Sequence, residues 1–326
     1  MTAEQITYIT FGGLLILALV FDLGLLSKSS SNITIKKALW LTVFWVSLAF
    51  AFFGFMWWED GRTIAVEYIS AYLMEWSLSI DNIFVFILIF NFFGIKEQFY
   101  ARVLLIGILM AILFRMVFIA VGIELVNRFE WVLYIFGAIL IYTGISIFRA
   151  KAEEEKNFEE NRVYKLLKRI LPITPNDGGG KWVIRKDGKR YYTSLFVVVI
   201  MLATTDIVFA LDSIPAVFAI SQKPIVVYTS NIFAVLGLRS LFFLLKGAAN
   251  KFAHLQQGIA IILIFIGGKM LAEWIDVHVP IYISLLVIVT CIVASIVYSV
   301  NIASQKPVNE NSKPAKKEKV PDSSQL

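Results

Sequence analysis

The sequence predicts an all-α polytopic membrane protein of about nine transmembrane helices, N-terminus outside and C-terminus inside, with a core of two inverted three-helix repeats. Three observations carry this expectation. Of the 326 residues, 58% are hydrophobic and only 17% charged, with a mean hydropathy of +0.75; a soluble domain carries about a quarter charged residues. The apolar residues come in continuous runs of about 20, the length of a membrane-crossing helix and unlike the weakly alternating strands of a β-barrel. Finally, an unusual acidic pattern occurs once in each half of the chain.

Taken in order, the runs place spans at 6–26, 37–57, 65–92, 101–123, 131–149, 193–220, 225–246, 255–274 and 280–301. The opening MTAEQ has no positive n-region and Lys28 follows the first run, which argues against a cleaved signal peptide and for an N-out first span. Lys36, Lys37, Lys96, Arg102, Lys246 and Lys251 then fall on the inner side, together with a strongly basic loop over 151–192. Glu59, Asp60, Glu124, Glu130, Glu273 and Asp276 fall on the outer side, so the positive-inside rule is obeyed throughout. The predicted organisation is two peripheral helices (1–60), a first three-helix repeat (61–150), the basic cytoplasmic loop (151–192), a second, inverted repeat (193–276), a last helix (277–302) and a disordered cytoplasmic tail (303–326).

The net charge of +6 comes largely from loops and tail, which points to cytoplasmic loops and not to nucleic acid. Cys291 is the single cysteine, so neither a disulfide framework nor a thiolate metal site is available. Within the basic loop, Glu153 to Ile170 reads as a short amphipathic helix at the membrane surface, with Val163, Leu166, Leu167 and Ile170 on its apolar face. Asp187-Gly188 between apolar and aromatic flanks predicts a hairpin turn. Gly178-Gly179-Gly180-Lys181 lacks the leading glycine, the following Ser or Thr and the preceding buried strand of a nucleotide loop.

The acidic pattern lies inside two apolar runs. EWSLSIDNIFVFILIF begins at Glu75 and DIVFALDSIPAVFAI at Asp206, so that Glu75 matches Asp206, Asp81 matches Asp212, and Asn82 matches Ser213. Charges at membrane depth cost at least a few kcal/mol each and by default face a protein interior or a wet cavity. The duplication extends further. Arg115 lies in an apolar run after the first motif and Arg239 after the second, and GAILIYTGISIF from Gly137 corresponds to AIILIFIGGKML from Ala260. Three spans matched to three, joined by one loop, gives oppositely oriented units, as in secondary transporters with a midplane site.

Residues six apart on a straight helix differ by about 240° in direction, whereas residues seven apart nearly coincide. Glu75, Ser79 and Asn82 should therefore share a stripe that excludes Asp81, and Asp206 should share one with Ser213. Pro215 removes a backbone donor and frees the Leu211 carbonyl, which predicts a break in the sixth span. Carboxylate, carboxamide and hydroxyl are hard oxygen donors suited to Mg²⁺, Ca²⁺ or Mn²⁺. Cys291, His254 and His278 have no partners in the pattern and read as packing or interfacial groups, as do Trp57, Trp58 and Trp76. Arg115, Arg239 and Lys269 are intramembrane cations that read as counter-ions to the acids, and Asp22 as an accessory acid or an interfacial one. The acids recur symmetrically and not as an unlike acid and base, so no enzyme is expected. No nucleotide-binding unit is present, and no cofactor is expected.

The segments YLMEWSLSIDNIFVF and ATTDIVFALDSIPAVFAI, the early FDLGLL and the basic inter-repeat loop together resemble the TerC family of integral membrane proteins, and within it the Alx-type bacterial branch. The resemblance covers roughly residues 5–300. It implies a cytoplasmic-membrane protein related to LysE-type exporters, with a historical link to tellurium resistance and to manganese export in Alx-like members. Its motif acids carry over to Glu75, Asp81, Asp206 and Asp212, with Asn82 and Ser213 beside them. The expected function is export of a divalent cation, Mn²⁺ first, by alternating access and with proton coupling; all six residues would ligate the ion. The expected partners are the lipid bilayer, the ion and protons. The alternative is a membrane adaptor of a metal- or tellurite-stress complex, acting through a cytoplasmic partner at the 151–192 loop.

Overall fold

In a bilayer no water is present to satisfy backbone N–H and C=O groups, so a lone apolar chain can cross only as helix. The computed structural model describes residues 3–27, 33–129, 131–149, 162–186, 188–246, 255–275 and 277–305. The side chains of Asp22, Asp81 and Asp212, and all of His254, lie outside the described residues, as do 151–161 and the tail beyond 305. In chain order the elements are α1 (Ala3–Ser27), α2 (Ile35–Glu59), α3 (Arg62–Phe92), α4 (Glu97–Arg128), α5 (Val132–Arg149), α6 (Arg162–Ile170), β1 (Val183–Lys186), β2 (Lys189–Tyr192), α7 (Ser194–Phe218), α8 (Pro224–Lys246), α9 (Leu255–Ala272) and α10 (Ile281–Gln305). The protein is an all-α polytopic membrane protein. Among the described residues eight helices, α2–α5 and α7–α10, are long and apolar enough to cross a membrane; the apolar stretch described in α1, Gln5–Ala18, is shorter.

Two contacts at opposite ends of the bundle establish how the acidic helices run. Where α3 gives way to α4, Arg102 Nη1 donates to the Gly180 carbonyl at 2.9 Å and Lys96 pairs with Asp177 at 2.6 Å, and the segment holding both acceptors lies at the start of α7, where the Ser194 N–H reaches the Asn176 carbonyl at 3.3 Å. At the other end, Glu67 near the start of α3 accepts from Ser221 Oγ at 2.6 Å and from Lys223 Nζ at 3.1 Å, just beyond the end of α7. The end of α3 thus lies beside the start of α7, and its start beside the end of α7. The two helices are antiparallel.

Packing follows the same exchange. α3 lies against α8, α7 against α4, and α5 against α9. The α5–α9 crossing is backbone on backbone: a Cβ added to Gly267 would stand 2.5 Å from the Gly137 carbonyl oxygen, and one added to Gly144 would stand 2.8 Å from that of Ala260. Small residues that admit such an approach are the usual means of joining helices where lipid supplies no hydrophobic drive. α8 is the axial helix, buried almost along its whole length and covered by α2, α3 and α4. Pro224 opens it at a position where its missing N–H has no intrahelical role. α2 seats Trp45 over Gly237 and donates from Thr42 Oγ1 to Ser240 Oγ at 3.1 Å. Phe11, Phe52, Tyr68 and Phe233 form one aromatic cluster that ties α1, α2, α3 and α8. Exposed Ile9, Ile16, Leu17, Trp40, Leu286 and Val293 give the outer helices an apolar surface suited to lipid.

The expected break at Pro215 does not occur. α7 continues through it to Phe218. The proline lies within the last turn, where the chain gives up a single ladder bond and the Ala219 N–H still reaches the Pro215 carbonyl at 3.1 Å. α4 also runs beyond the hydropathy span at both ends. Its polar termini, Glu97 and Arg128, extend the helix past the apolar stretch that marked it in the sequence.

The loop forms the predicted hairpin, Lys186 facing Lys189 across a two-residue turn with Gly188 at φ 75°. It is fastened to the bundle. Thr193 Oγ1 donates to the Lys181 carbonyl at 2.8 Å, and the Arg102 guanidinium lies 4.8 Å from the Trp182 ring centre. Gly178, Gly179 and Gly180 all have positive φ, which only glycine adopts without cost, and Gly180 faces the Phe99 ring. The Lys96 ammonium, and then the Gly179 N–H, hold the Asp177 carboxyl below the ordinary carboxylate range. A carboxyl whose folded pKa is lowered stabilises above its unfolded value and loses that contribution as pH falls through the lowered one. Limited proteolysis of the Gly178–Gly180 turn is therefore expected to accelerate below pH about 4, and Asp177→Asn should show the faster cleavage already at neutral pH.

Candidate functional site

At the centre of the bundle, four helices each contribute one polar side chain to a single ionic cluster. Arg115 of α4, 1% exposed, reaches Asp206 of α7 through both arms of its guanidinium: Nε donates to Oδ2 and Nη2 to Oδ1, each at 3.0 Å. Its Nη1 donates to Glu75 Oε1 of α3 and to Asn231 Oδ1 of α8, the latter at 3.1 Å. The Asn231 amide is fixed in turn by Nδ2 donating to the Val227 carbonyl at 3.0 Å. Such a fork on a carboxylate is a geometry that arginine forms and lysine cannot.

Burial makes the cluster consequential. Glu75 is fully buried, Asp206 is 1% exposed and Asn231 fully buried. Two carboxylates against one guanidinium leave one formal negative charge enclosed. One carboxylate oxygen, Glu75 Oε2, has no hydrogen-bond partner among the described residues. Ser79 Oγ and Asn82 Nδ2 on the same helix, and Ser213 Oγ on α7, are buried and unpartnered likewise. An unsatisfied buried polar atom costs about 1–3 kcal/mol, and a run of them along two facing helices is far from the native norm. α3 is an unbroken helix from Arg62 to Phe92, so Glu75, Ser79 and Asn82 lie along one stripe.

The cluster is enclosed. A void of about 10 Å³ touches Asp206, lined by Phe86, Leu104, Gly107, Leu202 and Leu238, room for about one water molecule. A larger cavity of about 540 Å³ opens at the end of α7, bordered by Glu67, Asn127, Phe218, Lys223, Lys269 and Glu273.

Of the residues expected from the sequence, Glu75, Asp206 and Arg115 are in direct contact. Asn82 and Ser213 are buried on the same two helices. Lys269 lies elsewhere: its Nζ donates to the Ala219 carbonyl at 2.9 Å, closing the end of α7 beside the larger cavity. It caps a helix end, while Glu75 and Asp206 are paired with Arg115. Arg239 is buried on α8. Asp81, Asp212 and Asp22 have their backbones in α3, α7 and α1, with their side chains outside the described residues. Among the described residues no three His, Cys, Asp or Glu side chains converge as a metal site. His278 is exposed and Cys291 half-buried on α10; Trp58 is 88% exposed and Trp57 stands beside Arg62. Sequence reasoning missed Asn231. The available signal was Thr229-Ser230-Asn231, three consecutive polar residues within an apolar helix.

Residues 60–307 match the family model described as "Integral membrane protein TerC family". An uncharacterised membrane protein of Myxococcus xanthus, STKORF319, is 40% identical over 305 residues, covering 93% of this chain and 95% of that protein. The Alx protein of Salmonella typhi, named as a proposed membrane-bound redox modulator, is 37% identical over 306 residues, covering 91% of this chain and 94% of its own. The Escherichia coli protein of the same name is 38% identical over 285 residues, covering 84% and 88%. No solved structure matches the chain.

Proposed function

The chain belongs to the TerC family of integral membrane proteins, and we propose that it is a secondary transporter that exports divalent metal cations, Mn²⁺ first, from the cytoplasm across the cell membrane by alternating access. The observation that carries this reading is the enclosed Glu75–Arg115–Asp206 cluster, with its surplus negative charge and its unpartnered Glu75 Oε2. A buried carboxylate oxygen without a donor attracts either a proton or a cation. The neighbouring orphans Ser79 Oγ and Ser213 Oγ offer further hard oxygen ligands for a dehydrated ion, and Asn82, whose unpartnered atom is the donor Nδ2, would ligate only through its carboxamide oxygen.

In this reading Arg115 is an internal stand-in for the cargo. It offsets one of the two carboxylate charges when no ion is there, and an arriving divalent cation takes over the carboxylates from it. Asp81 and Asp212 supply the remaining oxygens in their proposed role as ligands. A carboxylate must lose its proton before ligating a metal, which couples ion release to protonation. The void beside Asp206 is too small for a hydrated ion. Entry from the cytoplasm therefore requires α4 and α7 to part, and the larger cavity, at the outer end of α7 beside Glu273, serves as the exit mouth.

The test is Mn²⁺ efflux from a manganese-sensitive host that lacks its own exporter. Asp81→Asn and Asp212→Asn should abolish efflux while still reaching the membrane. Glu75→Gln should lower it by at least about tenfold, since even groups one shell removed from a metal matter that much. Normal efflux from all three variants would sink the proposal.

A second reading has its own observation: the fastened hairpin presents exposed Arg185, Lys186, Lys189 and Arg190, a platform for a cytoplasmic partner of a stress-response complex. It predicts that changes there abolish function while the motif acids are dispensable.

A further inference from the structure

The hairpin has an unusual charge pattern. Its register sets Arg185 directly opposite Arg190 and Lys186 directly opposite Lys189. Like charges facing one another across a ladder destabilise it, yet the two cross-strand pairs are both cationic. All four side chains are exposed. Arg185 and Arg190, together with Lys181, border a cavity of about 550 Å³. The backbone around it offers little to an anion, because the Gly178 and Gly179 N–H groups are already taken by Asn176 Oδ1 and Asp177 Oδ1, both at 3.0 Å. Anything bound there must be held by the side-chain cations.

Its position narrows the choice of ligand. β2 ends at Tyr192 and α7 begins at Ser194, with the Tyr192 ring 4.7 Å from that of Phe196. Arg102, in the second turn of α4, reaches up to Gly180 and Trp182. The cavity therefore sits at the level where two membrane-crossing helices start. At the same end of the bundle α6 packs Tyr164 against Phe93, ring centres 5.3 Å apart, and leaves Leu166 and Ile170 exposed by 55% and 65% beside Lys168 and Arg169. Exposed leucine and isoleucine flanked by cations are the pattern of a helix lying in the headgroup layer.

We propose that the hairpin is a docking surface for anionic phospholipid headgroups, with Lys181, Arg185 and Arg190 holding the phosphate in the cavity they border. The headgroup relieves the repulsion across the ladder, and α6 seats its apolar side chains in the same leaflet. This inference is independent of the transport reading.

The experiment is amide hydrogen exchange on the full chain in nanodiscs of phosphatidylglycerol or phosphatidylcholine. Amides of 183–192 should exchange more slowly in the anionic lipid. Arg185→Gln and Arg190→Gln should each reduce lipid retention by about five-fold, the worth of one basic residue at an anionic surface, as read by native mass spectrometry of lipid-bound protein. Exchange in α7 should be unchanged, showing that the variants are folded. Equal exchange in the two lipids, or variants that retain phosphatidylglycerol as well as the parent, overturns the proposal. So does full protection by inorganic phosphate in phosphatidylcholine discs, since the site would then take a soluble anion.

Discussion

Replacing Arg115 with methionine is expected to destabilise the protein by about 3–5 kcal/mol, the usual consequence of removing one partner from a buried ionic cluster. Methionine keeps the unbranched stem as far as the position of Nε, so the apolar part of the packing is retained and the guanidinium carbon with its two terminal nitrogens is removed. What is lost is the only cation among the described residues in contact with Glu75 and Asp206, and both carboxylates stay enclosed. Arg115→Lys should rescue only in part, because an ammonium cannot fork onto both Asp206 oxygens while also reaching Glu75 and Asn231. The triple variant Arg115→Met, Glu75→Gln, Asp206→Asn should recover most of the stability, since no charge is then left buried. It should not recover efflux. Thermal stability in detergent, measured for the four proteins side by side, checks the first three statements. A triple variant as unstable as Arg115→Met would show that Arg115 matters through packing and not through charge.

The second large effect is steric. Gly267→Val places a branched side chain where even a Cβ would stand 2.5 Å from the Gly137 carbonyl oxygen and 3.0 Å from the Ile141 nitrogen. Both are backbone atoms, which cannot swing aside, so α5 and α9 must separate. The cost is expected at the upper end of overpacking, about 3 kcal/mol or more. Gly268→Ala is the matched control, as a Cβ there meets nothing within 4 Å. A lower melting temperature or poorer extraction yield for Gly267→Val, with Gly268→Ala unchanged, is the expected pattern; equal behaviour of the two variants would mean that the close crossing is not required.

The two predictions bear on different parts of the design. The α5–α9 crossing joins one pair of matched helices through small residues and is indifferent to charge. The Arg115 cluster joins α3, α4, α7 and α8 through charge and is the part with a surplus of acceptors. A transporter needs both a seam that holds and a seam that can exchange partners, and the guanidinium is suited to the second because its hydrogen bonds can be taken over by another cation.

By itself the sequence determined the class, the position of most helices and the antiparallel relation of the two acidic ones. These are legible because they depend on one-dimensional quantities: the length of an apolar run, the side on which lysine and arginine collect, and an odd number of spans per repeat. The stripe joining Glu75 to Asn82 is helical geometry and is likewise readable from spacing. The tertiary structure alone decided which helix is axial, since α8 is no more apolar in sequence than its neighbours and is enclosed only because α2, α3 and α4 pack around it. It decided that Arg115 joins Glu75 to Asp206, that Asn231 completes the set, and that Lys269 caps the end of α7 instead of meeting the acids. Residues so far apart in the chain meet through the crossing of helices, which no local pattern encodes. It also decided that Pro215 leaves α7 unbroken, because its effect depends on the one turn that remains after it. A run of amino acids states which charges lie at membrane depth; only the packed bundle states which of them face one another.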